Sequence, residues 1–168
     1  DSAMDIVGVN TAGSATLSST AALSDACATS VSVAGLAYVS GSSISLGGGT
    51  FNTGTLTFNS AGAVTIAEDS GMNITGANTG GTTSLTSTAG ITDATATSVA
   101  VGALTVDGTS IALGGGTFNA TTVNFNSAGA VTIAEDSAMD IVGVNTAGSA
   151  TLSSTAALSD AAATSVAV

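Results

Sequence analysis

The chain has 168 residues, no Lys, Arg, His, Pro or Trp, and a formal net charge of −11 at pH 7. Nucleic-acid binding needs cations to neutralise phosphate, and an anionic membrane repels a chain of this sign, so neither partner is expected. Disorder is a poor reading with 44% hydrophobic residues, and a spanning helix needs about 18 consecutive apolar residues where the longest run here, Val33–Val39, has seven.

The chain opens on Asp1-Ser2-Ala3-Met4-Asp5-Ile6, without a basic or apolar leader, and so reads as a mature protein or an excerpt of a longer one. That hexad returns as Asp69-Ser70-Gly71-Met72-Asn73-Ile74 and again as Asp136-Ser137-Ala138-Met139-Asp140-Ile141. Residues 1–33 match 136–168 at all but two positions, Cys27 against Ala162 and Ser32 against Ala167. Residues 43–68 match 110–135 at 21 of 26 positions. The organisation is therefore repeat unit 1 over 1–68, unit 2 over 69–135 and a partial unit 3 over 136–168, forming one continuous body. Leu36-Ala37-Tyr38-Val39 is one residue longer than its counterpart Leu104-Thr105-Val106, which predicts a bulge or corner near Ala37-Tyr38.

Over residues 64–125 the apolar residues come in doublets two apart. They are Val64 and Ile66, Met72 and Ile74, Val99 and Val101, Leu104 and Val106, Ile111 and Leu113, and Val123 and Phe125. Period two is the strand signature, with the intervening Thr, Ser, Ala and Asp turned outwards. Breakers separate the doublets: Asn78-Thr79-Gly80-Gly81, Asp107-Gly108, Gly114-Gly115-Gly116 and Asn126-Ser127-Ala128-Gly129. Strands this short cannot bury an inner face alone, but stacked coils can. The predicted fold is an all-β parallel β-helix (β-solenoid) with about 22 residues per rung and three rungs per 67–68-residue repeat. The alternative is a string of 67-residue β-sandwich modules, against which stand the short strands and the absence of linkers.

The runs Gly114-Gly115-Gly116-Thr117-Phe118-Asn119 and Phe125 to Asp136 resemble repeats of large bacterial surface proteins, the filamentous-haemagglutinin-like and autotransporter-like adhesins. That resemblance implies a right-handed parallel β-helix at the cell surface, and it carries over no functional residue.

Familiar catalytic triads and cation clamps are impossible without His, Lys or Arg, and the expectation is a non-enzymatic protein. Polysaccharide lyases share the β-helix, but an acidic rod without cations suits an acidic sugar poorly. Glu68, Asp69, Glu135, Asp136 and Asp140 are the candidates for a hard cation such as calcium; the competing reading is a solvated acidic corner that keeps the chain soluble. Asn10, Asn78 and Asn145 recur at one place in the unit, and Asn59 and Asn126 at another, as turn formers. Cys27 occupies a slot taken elsewhere by Thr95 and Ala162, a small-residue position or an intermolecular cross-link. Phe51, Phe58, Phe118 and Phe125 are expected in the core. A Thr-x-Thr ice-binding array fails, because Thr55-Leu56-Thr57 is answered by Thr122-Val123-Asn124.

The expected function is a structural extracellular fibre or adhesin stalk, its partners being copies of itself through end-to-end stacking or lateral association. The two ends of the chain are nearly the same sequence and neither resembles a cap, which fits either an excerpt of a longer fibre or stacked chains. The alternative is a surface adhesin that binds a glycan or a host protein.

Overall fold

The computed structural model describes residues 2–168. Among them lie twenty-one strands and no helix, and every strand pairing is parallel within one sheet. The doublets explain this directly. Val64 and Ile66 point inwards while Thr65 stays exposed, and all twelve doublet residues named above are buried. The four phenylalanines are fully buried with them. A single core runs from Ile6 to Ile141, so the separate-module alternative does not hold.

Successive turns can be followed along one column of paired residues. Met4 pairs with Leu23, Leu23 with Ile44, Ile44 with Val64, and Val64 with Thr83. Thr83 pairs with Leu104, Leu104 with Val123, and Val123 with Ile141. Seven steps cover 141 − 4 = 137 residues, about 20 per turn and slightly tighter than the expected 22. Each turn has three faces, as in Ser43–Leu46 followed by the two halves of Thr50–Ser60. The longest strands exceed the expected four to six residues because they run around a corner, as Thr50–Ser60 does at Gly54. A Cβ on Gly54 would lie 2.3 Å from the Ala34 carbonyl oxygen of the turn above, so only glycine turns there.

The extra residue of the first unit is a bulge. Val33 pairs with Thr53 but Leu36 with Thr55, three residues against two. In the second unit the same corner runs from Val101 on Ala120 to Ala103 on Thr122, two against two. The insertion sits at Ala34–Gly35, just before the predicted position, and its absorption there leaves both flanking registers intact.

The repeat does not close on a whole number of turns. From Ser43–Leu46 to its counterpart Ser110–Leu113 the chain lays down ten strand segments, and at three per turn this is 10/3, or about 3⅓ turns, rather than the expected three. The pairing shows the same shift. Val123 lies in the column that leads back to Met4. Its counterpart Leu56 instead pairs with Ala37 and Ile74 on another face. Equivalent residues of neighbouring units therefore lie one face apart around the axis.

Candidate functional site

The one-face advance has a local origin. Ser30–Val33 stacks on the first half of Thr50–Ser60, but that half has no strand beneath it; its column ends there, and Met72–Ile74 continues the column of the second half through Leu56 on Ile74. The backbone groups left open are taken by two consecutive acids. Glu68 Oε1 accepts from the Thr53 N–H at 2.8 Å and the Thr53 hydroxyl at 3.1 Å. Asp69 Oδ2 accepts from the Phe51 N–H at 3.0 Å, while the Asp69 N–H donates to the Phe51 carbonyl. The side chains thus do the work of a missing strand, which a buried sheet edge requires. The second unit repeats the device: Glu135 Oε1 receives the Ala120 N–H at 3.0 Å, and Asp136 Oδ2 the Phe118 N–H at 2.9 Å.

Both glutamates are buried, Glu68 at 2% and Glu135 at 1% exposure, so the solvated-corner reading is corrected for them. Each continues the inward phase of its strand, Val64-x-Ile66-x-Glu68 and Val131-x-Ile133-x-Glu135. That phase was the signal available in the sequence. Ser70 and Ser137 hydroxyls add a further donor to each Oε1. In both units the second oxygen, Oε2, is buried without a hydrogen-bond partner. Burial pushes the Glu68 carboxyl above its ordinary range, opposed by the hydrogen bonds from Thr53 and Ser70, and the charge of Asp69 pushes the same way as burial.

The calcium candidates are not gathered into a metal centre. Among the described residues no three acidic, histidine or cysteine side chains come together. Glu68, Asp69, Glu135 and Asp136 spend oxygens on backbone N–H groups, and Asp140 accepts from the Ser159 hydroxyl on the outer face.

Two further plugs escaped the sequence reading. Where Leu56 pairs with Ile74 but Asn59 with Thr79, two residues of the lower turn are extra, and Asn78 fills the break. Its Oδ1 accepts from the Phe58 N–H, and its Nδ2 donates to the carbonyls of Thr75, Gly76 and Ser98, so one side chain ties three turns. Asn145 makes the same set to Phe125, Val142, Gly143 and Ser165. Both are buried and exceed a turn former's role, whereas Asn10 has only its local contacts to Val7 and Gly8. The second plug seats an aspartate in a glycine cradle. Asp25 accepts the N–H groups of Gly47, Gly48 and Gly49, and Asp93 those of Gly114, Gly115 and Gly116. Gly47 and Gly114 hold φ of 116° and 108°, and a Cβ on Gly49 or Gly116 would fall 2.0 Å from a threonine carbonyl oxygen, which explains the triple glycine.

Asn59 and Asn126 lie on the outer face, each accepting from the threonine of the next turn, Thr79 and Thr146. Cys27 is exposed and free. No family model, curated protein or solved structure matches the chain.

Proposed function

We propose that the chain is a non-enzymatic structural element of an extracellular fibre or adhesin stalk, whose work is length, stiffness and display. The observation that carries this reading is the unbroken core. Inner residues stack turn on turn from Ile6 to Ile141 in one parallel sheet, and even where a column ends the acid pair and the asparagine keep the backbone satisfied. A rod so built transmits load along its axis without a hinge. About eight turns at roughly 4.8 Å extend about 38 Å. The outer residues are mainly small hydroxyls, amides and acids, a surface suited to a medium in which no cationic side chain is needed. Small-angle scattering and electron microscopy test the reading: stiff rods one solenoid wide, with an axial spacing near 4.8 Å, support it, and compact beads on a flexible string reject it.

A second reading, glycan binding, has one specific observation behind it. A surface depression of about 570 Å³ lies beside the second step, lined by Val101, Asn119, Ala120, Thr121 and Ser137. Its amide and hydroxyl groups suit a neutral sugar, and a glycan array decides whether it takes one.

A further inference from the structure

We propose that Glu68 is carried in the folded chain as a neutral carboxylic acid at neutral pH, so that the first register step is also a proton-binding site and folding takes up a proton there. This stands apart from the fibre reading. A buried carboxylate is stable only when paired or fully hydrogen-bonded, because its desolvation costs several kcal/mol. The chain has no Lys, Arg or His that could pair with it. The hydrogen bonds also fall on one oxygen alone. Oε1 receives the Thr53 N–H, the Thr53 hydroxyl and the Ser70 hydroxyl, as a carbonyl oxygen would. Oε2 receives nothing and is shut off from solvent, which is the place for the acid's own hydrogen. An ionised group would spread its charge over both oxygens and leave half of it unsolvated.

The surroundings offer nothing to reverse this. Thr50–Ser60 above and Thr83–Ser87 below carry no ionisable side chain, and neither do the neighbouring Ser43–Leu46 and Met72–Ile74. The one ionisable group beside it is Asp69, whose negative charge opposes a second one. Asp69 itself is exposed, and its Oδ2 receives the Phe51 N–H. The two consecutive acids thus divide the work: the buried one holds a proton, and the exposed one pairs with the Phe51 backbone.

Electrophoretic mobility of the folded protein at pH 7 reads the charge directly. Glu68→Gln replaces a neutral acid by a neutral amide and is expected to co-migrate with the wild type, while Asp160→Asn, at an exposed position, shifts by one charge. A shift of Glu68→Gln equal to that of Asp160→Asn overturns the proposal. Should Glu68→Gln fail to fold, infrared spectroscopy of the wild type serves instead: a protonated-carboxyl C=O band at pH 7, lost on unfolding, is expected, and its absence overturns the proposal. Calcium chloride and EDTA complete the test. Mobility unchanged by either is expected, and a calcium-dependent change at the wild-type step, absent in Glu68→Gln, would show a metal ion where the proton is placed.

Discussion

Four hydrogen bonds converge on the Asn78 side chain, and one of them satisfies an N–H group that no strand can reach. Removing the amide leaves the buried Phe58 N–H without a partner, and orphaning such a group costs about 1–3 kcal/mol in addition to the bonds lost. Asn78→Ala is therefore expected to lower stability by about 2–4 kcal/mol in urea unfolding, whereas Asn10→Ala, with only local contacts, should stay within about 0.5 kcal/mol. Glu68 makes the opposite kind of residue-scale statement. Its folded pKa is raised above the ordinary 4.5 by burial, so its share of stability is fully present below that value and is lost as pH rises through the folded one. The wild type should accordingly unfold at lower urea concentration at pH 8 than its other acids alone would dictate. Glu68→Gln should remove that component, so that the difference between the two proteins narrows as the pH is lowered towards 4.5. A difference independent of pH would mean that the carboxyl does not titrate with folding.

At the scale of the strand, one corner exists in two versions within the same chain. Ala34–Gly35 carries a bulge that Val101–Ala103 does without, and both registers beyond it are the same. Deleting Ala34 should convert the first corner to the second with a change of about 1 kcal/mol or less. Deleting Ser45, in the middle of Ser43–Leu46, should be far worse. It would turn Leu46 outwards or pull Ile44 from its place against Leu23 and Val64. Thermal melts of the two deletions separate these outcomes. The same distinction explains how much of the fold could be read beforehand. Doublets two apart fix which side chains face inwards, and every doublet named from the sequence is buried. They do not fix which face of the coil each strand occupies, because all three faces carry the same alternation. Face assignment depends on where a column ends, and the ends are made by single polar residues in the inward phase, Glu68, Asn78, Glu135 and Asn145. A polar residue in an apolar phase was legible as an anomaly at Val64-x-Ile66-x-Glu68. Its meaning was not, since the Thr53 backbone group that it satisfies lies fifteen residues earlier.

For the whole molecule, the 3⅓-turn repeat decides how charge is distributed. If each unit closed on whole turns, equivalent acids of successive units would stack on one side of the rod. Instead the step at Glu68-Asp69 and its successor at Glu135-Asp136 lie one face apart, so acids such as Asp69 and Asp136 are dealt around the axis. Two rods approaching from any direction then meet like charges, with no cation on either surface to form a bridge. Repulsion of this kind acts over a screening length of about 8 Å at physiological salt, enough to hold small-residue surfaces out of contact. It fails as the carboxylates protonate. The sequence pI is about 4.1, and near that pH the rods should associate side by side, raising turbidity reversibly while the circular dichroism of the sheet is retained. Added salt at neutral pH should move the onset of association upwards in pH by shortening the screening length. Turbidity that stays flat from pH 7 down to the pI would show that hydration of the threonine and serine surface, and not its charge, keeps the rods apart.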